Sequence, residues 1–132
     1  MKHLLPDGWP RPSGYSLGIL AQGRQIFIAG MVGWDQDGRF ADGLVRQFRQ
    51  ILVNTVATLE KGGATPADIV RMTWYVKDLD DYRGNLTGIG QAYRDVIGKH
   101  YPVMAVIGVT DLVEPEALIE IETTAVIEDD SS

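Results

Sequence analysis

Two glutamates near the C-terminal end of the chain, Glu120 and Glu122, are the residues whose type and spacing could carry out proton transfer. They lie in the segment Ala117–Val126, whose alternating pattern predicts a β-strand. Alternation places both carboxylates on one face, together with Leu118 and Thr124. Because ionised carboxylates are seldom buried without a partner, this mixed face is unusual. The two glutamates therefore either face solvent or line a polar cleft between subunits.

The opposite face of this strand is apolar and predicts a core covered by helices. A preceding strand is predicted over Met104–Val109, and a turn around Glu114 and Pro115 joins the two. The core-facing residues of the second strand are Ile119, Ile121, Thr123 and Ala125.

Composition restricts the chemistry that is available. The chain of 132 residues has a net charge of −6, and its 12 basic residues are scattered, which disfavours a nucleic-acid interface. It has no cysteine, so a thiol nucleophile and a cysteine-based zinc site are excluded. His3 and His100 are far apart in sequence, and we expect neither a metal nor a cofactor. No signal peptide or membrane span is predicted, so we expect a cytoplasmic protein and no membrane partner.

Two strands and a helix are predicted in the first half of the chain. Residues 1–14 are expected to form an irregular arm rich in proline and glycine. Strands over Tyr15–Ala21 and Gln25–Val32 are expected to pair as a hairpin. Gly30 inside the second, apolar run predicts a bulge or a close approach by other atoms. Apolar residues at helical spacing then predict a helix over Leu44–Lys61.

The second half adds a strand, a helix and the final pair of strands. Thr65–Asp68 resembles a capping box, and the third strand is expected over Ile69–Lys77. A helix rich in glycine is expected from about Asp78 to Gly98. The order ββαβαββ predicts an α+β, two-layer sandwich, with residues 1–132 forming a single domain.

The third strand carries large side chains on both of its faces, which has a consequence for assembly. Helices can cover only one face of a sheet, so a second copy of the chain is expected to cover the other. Val70, Met72, Trp74 and Val76 form the first face, and Thr73 and Tyr75 lie opposite.

Four segments, together with the order of the elements, resemble the RidA/YjgF family of enamine and imine deaminases, some of which are labelled endoribonuclease L-PSP. The segments are Gly14-Tyr15-Ser16, Ile28-Ala29-Gly30, Met72–Asp78 and Ile119–Glu122. The resemblance runs from Gly14 to Val126. It implies a chorismate-mutase-like fold and a homotrimer with small-molecule sites in the clefts between subunits.

The resemblance also implies roles for particular residues. Glu120 matches the catalytic glutamate that positions the hydrolytic water. Tyr15 and Gly30 match residues that lie near the substrate. Met31 stands where relatives have a glutamine, and Met104 stands where they have an arginine. The substrate is expected to contact Tyr15, Gly30, Met31 and Met104.

Met104 is the largest departure from the family pattern. The family arginine holds the substrate carboxylate with two parallel hydrogen bonds, which a methionine cannot make. A helix asparagine of the family falls at about Gly90. These changes predict a roomier and more apolar pocket. Arg71 could replace the lost cation from another direction, although an ion pair at a subunit interface suits its position better.

Three functional hypotheses follow. In the first, the protein hydrolyses a small reactive enamine or imine, such as a 2-aminomuconate-like compound. Glu120 then accepts a proton from the attacking water and returns one to the leaving ammonia. In the second, the trimer binds a small ligand without turnover, which the methionine at position 104 favours. An endoribonuclease activity comes third, because the chain lacks a basic groove.

Overall fold

A computed structural model describes residues 1–129 of the chain. Over this range the strands are β1 (Lys2–Leu4), β2 (Gly18–Leu20), β3 (Gly23–Val32), β4 (Ile69–Val76), β5 (Val103–Gly108) and β6 (Ile119–Glu128). The helices are α1 (Leu44–Lys61), α2 (Leu79–Gly84) and α3 (Leu86–Val96), with one 3-10 turn over Pro66–Asp68. None of the helices in this range is long and apolar enough to cross a membrane.

The main sheet has four strands in the order β3-β6-β4-β5. Strands β4 and β5 run parallel, and the other neighbours run antiparallel. Helices α1 and α3 pack against each other, and α1 also packs on β3 and β6. The predicted α+β two-layer fold is confirmed.

Helix α1 supplies the centre of the core. Phe48, Ile51 and Leu52 are fully buried, as are Ile119 and Ile121 of β6. The helix begins and ends where its apolar spacing predicts. It stops where the backbone amides of the two following glycines, at positions 62 and 63, turn back to its last carbonyl groups.

The predicted hairpin between the first two strands is wrong. β2 pairs with β1, with His3 opposite Ile19, so the start of the N-terminal arm is a strand and not irregular. β3 pairs instead with β6, from Gly23 opposite Glu128 to Val32 opposite Glu120. Pairing with β6 extends along far more residues of β3 than the three residues of β2 could match, which explains why β3 pairs with β6.

The predicted second helix is interrupted at Asn85, between α2 and α3. Its start is as expected, because the Asp78 carboxylate accepts hydrogen bonds from the amides of Asp80 and Asp81. Gly84 ends the first segment, and the Asn85 side chain bonds back to the Asp81 carbonyl oxygen at 2.8 Å. A flexible glycine followed by a competing side-chain bond accounts for the break.

One face of the sheet packs on the helices, and the other carries large side chains outside the helix layer. Phe27 of β3 is 72% exposed and Ile107 of β5 is 43% exposed. On β4, a register shift between Ile69 and Arg71 turns Ile69 into the core, where Val70 had been expected. The face away from the helices, called the open face below, therefore carries exposed apolar side chains. Large side chains on this face were the reason for predicting that a second copy of the chain covers it.

Candidate functional site

The side chain of Glu120 lies directly over the backbone of Gly30. A β-carbon built on Gly30 would be 2.5 Å from Glu120 Oε2 and 2.9 Å from Cδ. Gly30 does not have a positive φ, so the glycine serves to make room and not to permit an unusual backbone angle. The close approach predicted for Gly30 is confirmed.

A β-bulge produces this close approach. Ile28 lies opposite Thr123 and Met31 lies opposite Ile121, so three steps along β3 match two steps along β6. The extra residue lies in the stretch that contains Gly30. Glu120 of β6 pairs with Val32 of β3 on one side and with Tyr75 of β4 on the other.

The two glutamates of β6 differ in their partners. The Tyr75 hydroxyl donates a hydrogen bond of 2.5 Å to Glu122 Oε1. That bond, with desolvation and the negative charges of Glu122 and Glu120, raises the pKa of Tyr75. Within residues 1–129, the half-buried Glu120 carboxylate has neither a hydrogen-bond donor nor an ion-pair partner. Glu120 is thus the carboxylate that remains available for chemistry.

Tyr15 and Met104 lie together at a different place, in a cavity of about 480 Å³ between α3 and β5. Ser16 positions Tyr15, because its amide donates to the Pro102 carbonyl oxygen at 3.0 Å and it forms a parallel bridge to Val103. Other walls come from β4, α2 and α3. The lining residues are Ser13, Gly14, Tyr15, Trp74, Tyr82, Leu86, Ile89, Gly90, Tyr93, Arg94, Tyr101, Met104 and Val106.

The predicted site residues therefore form two groups in one protomer. Glu120 pairs with Tyr75, and Tyr75 pairs with Ile107 of β5. Met104 lies three residues before Ile107, so its side chain points to the opposite face of the sheet. Gly30 lies on β3, at the far edge from β5. A site that contains all of these residues needs two copies of the chain.

Met31 belongs to neither group. Its side chain packs against the hydrophobic core, where its Sδ atom accepts a hydrogen bond of 3.7 Å from the Thr55 hydroxyl. It pairs with Ile121, which lies on the helix-covered face, and this explains the direction of its side chain. Its position is next to Gly30 in sequence, but its side chain points away from the Glu120 carboxylate.

Gln47 is a positioning residue that the sequence pattern did not reveal. It is 3% exposed, and its amide nitrogen donates to the carbonyl oxygens of Ala41 and Glu116 at 3.2 and 3.0 Å. Its Oε1 accepts from the Leu118 amide at 2.8 Å. These bonds fix the entry to β6 two residues before Glu120. A glutamine among the buried positions of an amphipathic helix was the available signal.

His100 contacts the first residue of β4. It is half-buried, and its Nε2 lies 2.6 Å from the Ile69 carbonyl oxygen. His3 reaches the same region through Ser16 Oγ, which lies 3.0 Å from His3 Nδ1. The Ser16 hydroxyl donates in turn to the Tyr101 carbonyl oxygen. These contacts tie the N-terminal strand to the segment that precedes β5.

Comparison with known proteins decides the family. The family model described as Endoribonuclease L-PSP matches residues 10–127. The chain belongs to this family, which is the RidA/YjgF family. A RutC family protein of Pyrococcus horikoshii is 34% identical over 125 residues, covering 92% of this chain and 94% of the relative.

Solved structures agree with the family assignment. The chain is similar to a Rid family protein of unknown function from Yersinia pestis, with 36% identity and a TM-score of 0.83, covering 96% of this chain and 98% of that one. It is also similar to a member of the YjgF/YER057c/UK114 family from Mycobacterium tuberculosis. There the identity is 32% and the TM-score 0.66, with 86% and 87% of the two chains covered. The expected family and its fold are confirmed.

Proposed function

We propose that the protein is a hydrolytic deaminase of a small reactive enamine or imine, working in clefts between copies of the chain. The observation that carries this proposal is the Glu120 carboxylate, which lies over Gly30 without a partner in the described residues. The missing side chain at Gly30 allows this carboxylate to lie close to the backbone of β3. Family membership adds support, since this glutamate matches the one expected to position water.

The reaction uses Glu120 first as a base and then as an acid. The oxygen of water attacks the carbon of a protonated imine, and Glu120 accepts the proton that the water loses. This forms a neutral carbinolamine. Glu120 then returns its proton to the amine nitrogen, the carbon–nitrogen bond breaks with its electron pair leaving on nitrogen, and the hydroxyl oxygen forms the carbonyl group. The released ammonia takes up the remaining hydroxyl proton, so the products are a carbonyl compound and ammonium.

The assembly that we propose is a homotrimer. Glu120 and Gly30 lie toward one edge of the sheet, whereas Tyr15 and Met104 lie at the other edge and on the other face. A neighbouring copy that packs on the open face could bring its own edge to Glu120. Exposed Phe27 and Ile107 supply the apolar area for that contact.

A second candidate function is ligand binding without turnover. Met104 favours it, because a thioether packed against the core offers no charge to a substrate carboxylate. In this version the same trimer binds an apolar small molecule, and Glu120 serves only as a hydrogen-bond acceptor. The RNA cleavage suggested by the family description is less well supported, because a net charge of −6 opposes binding to a polyanion.

The test is ammonia release from a panel of enamines and imines. The panel should include compounds without an α-carboxylate and longer aminomuconate-type compounds. With an active substrate in hand, Glu120→Gln should lower the rate by about 10²–10⁴ because it removes the base while keeping the shape. Glu122→Gln is the matched control, since an amide oxygen can still accept the Tyr75 hydrogen bond.

Two outcomes would reject the deaminase proposal. A Glu120→Gln variant with the full rate would show that the base lies elsewhere. An inactive panel combined with saturable binding of apolar acids would favour the binding function.

A further inference from the structure

Among the residues 1–129 that the structure describes, the cavity between α3 and β5 has a single charged side chain in its wall, that of Arg94. No aspartate or glutamate of the described part of the chain lines the cavity, although the protein as a whole has a net charge of −6. The guanidinium group of the exposed residue Arg94 is therefore a local positive charge beside an otherwise neutral wall of aromatic, apolar and small residues. Such a group attracts an anion and can bind it with two parallel hydrogen bonds.

Gly90 makes room for this guanidinium group. The two residues are four positions apart on α3 and so share one side of the helix. A β-carbon built on Gly90 would lie 3.2 Å from Arg94 Nη1. A larger side chain at position 90, such as the asparagine expected from the family resemblance, would compete for this space. The glycine thus allows Arg94 to lie along the cavity wall.

Arg94 is not occupied by an ion pair within residues 1–129. The next residue, Asp95, accepts a hydrogen bond of 2.8 Å from Arg49 and one of 2.7 Å from Gln91. The contact that Arg94 does make is a long one of 3.5 Å to Gln91 Oε1. Its hydrogen-bonding capacity is largely unused, and an anion in the cavity would use it.

The rest of the cavity suits a flat, unsaturated body. Tyr93 and Tyr101 are stacked, with ring centroids 5.5 Å apart and an angle of 12° between the rings. Trp74 lies 6.3 Å from the rings of both Tyr82 and Tyr93. Burial raises the pKa of Tyr82 and of Tyr93 further above neutral pH, so neither phenol ionises there to repel an anion.

The cavity is larger than a very small ligand needs. At about 480 Å³ it lies within the range of roughly 300–1,000 Å³ that holds drug-sized ligands. A three-carbon imino acid would leave most of the aromatic wall without contact. A ligand that fills the cavity must extend past Met104 toward the stacked tyrosines.

We infer that this cavity takes a ligand with an aromatic or extended unsaturated body and one anionic group, and that Arg94 holds the anion in place of the arginine missing at position 104. The inference rests on the proposed function in that the ligand is the substrate, or an analogue, of the same cleft. It names the substrate class and a residue that determines specificity.

The experiment compares unreactive probes that differ in one property each. 3-Phenylpropanoate has the body and the charge, 3-phenylpropanol has the body alone, and acetate has the charge alone. Binding is measured by calorimetry on the wild-type protein, on Arg94→Met and on the control Arg46→Met. Arg46 is an exposed residue of α1 outside the cavity, so the control makes the same change of charge.

The wild type should bind 3-phenylpropanoate at least roughly tenfold more tightly than the alcohol, which is the factor expected for one charge-assisted pair. Arg94→Met should abolish this preference without weakening the alcohol, and Arg46→Met should preserve it. Arg94→Lys should keep part of the preference, because an ammonium retains the charge but loses the planar fork. Four results would each overturn the inference. They are equal affinity for acid and alcohol, binding of acetate as tight as that of the larger acid, no binding of any probe, and equal loss in both methionine variants.

These results are independent of turnover, because none of the probes can be hydrolysed. Arg94-dependent binding together with an inactive imine panel would leave the inference standing and reject the deaminase proposal. Hydrolysis that depends on Glu120 but shows no preference for anionic, unsaturated substrates would leave the deaminase proposal standing and reject this inference. Gly90→Ala gives a second readout: it should raise the melting temperature through better helix propensity and weaken acid binding by crowding Arg94.

Discussion

The carboxylate of Glu120 occupies the space where Gly30 would carry a side chain. The separation is 2.5 Å between Glu120 Oε2 and the β-carbon that any other residue would place there. The two positions are on neighbouring strands, and a bulge in β3 brings them together. Any substitution at Gly30 must therefore act first on the position of this carboxylate.

Gly30→Ala should lower the deaminase rate while leaving the fold intact. The atoms that the new methyl group meets belong to the end of a flexible side chain, so Glu120 moves and the strands stay paired. A displacement of about 1 Å can reduce a rate by up to about 10²-fold. Steady-state kinetics and thermal melting measure the two effects. Gly84→Ala is the control, because that position opens onto free space, and an equal loss in both variants would contradict the prediction.

Wild-type protein should elute as a trimer of about three times 14.5 kDa in size-exclusion chromatography with light scattering. Phe27→Asp should dissociate it, because the new charge would be buried without a partner when the open face is covered. Val53→Asp, on an exposed position of α1, is the matched control and should leave the assembly unchanged. A wild-type protein that remains a monomer at micromolar concentration would refute the model of a shared cleft.

Small α-imino acids such as 2-aminoacrylate should be poor substrates. Met104 cannot form the charge-assisted pair, which contributes about 1.5–3 kcal/mol, at its own position, and a small acid bound at Arg94 instead would leave most of the cavity wall without contact. Met104→Arg should therefore improve kcat/KM for these compounds by roughly tenfold or more, as measured by a coupled ammonia assay. Met104→Leu should give no improvement. A wild-type rate equal to that of an arginine-bearing relative would show that another cation reaches the carboxylate.

Gln47→Ala should destabilise the protein although the residue touches no proposed substrate. The change leaves the Leu118 amide without its acceptor in a buried setting, which costs about 1–3 kcal/mol in the free energy of unfolding. Urea denaturation measures this loss. Gln50→Ala, which removes a contact with Asn54 of the same helix, should cost less. Equal losses would mean that the link between α1 and β6 contributes nothing.

The pair formed by Arg49 and Asp95 should give a pH-dependent stability. The hydrogen bond from Arg49, assisted by Gln91, lowers the pKa of Asp95 below its ordinary value of 3.8. The stability from this pair is therefore present above that value and is lost as the pH falls through the lower folded-state pKa. Arg49→Met should melt at a lower temperature than wild type near neutral pH.

In acid, the melting temperatures of Arg49→Met and wild type should converge. Arg46→Met, which removes a similar charge from the same helix, should show no such convergence. A difference between Arg49→Met and wild type that is independent of pH would contradict the prediction.

The sequence predicted the elements whose side chains repeat with a clear period. The apolar spacing and the two following glycines set both ends of α1 at Leu44 and Lys61. Alternation separated the two faces of β6, and the faces are as expected, with Ile121 buried. The pairing of β1 with β2 could not be predicted in the same way. A strand of three residues in a polar arm has no period that can be recognised.

The site was predictable residue by residue but not as an arrangement. Family resemblance pointed to Glu120 and Met104, while the registers of three strands place them on opposite faces. Alternation gives the two faces of each strand, but it does not say which strands are neighbours in the sheet. Arg94 was within reach of sequence reasoning, because residues four apart on a helix share a side and Gly90 offers no side chain there.

The bridge between Ser16 and Val103 has a consequence for the behaviour of the protein in concentrated solution. β5 is an edge strand of the main sheet, and an unpaired edge is a template on which foreign strands can add. Ser16 already occupies the start of that edge and is anchored to the Pro102 carbonyl oxygen at 3.0 Å. A foreign strand that pairs along the whole of this edge must first displace it. The short segment that forms a wall of the cavity thus also protects the sheet against edge-to-edge aggregation.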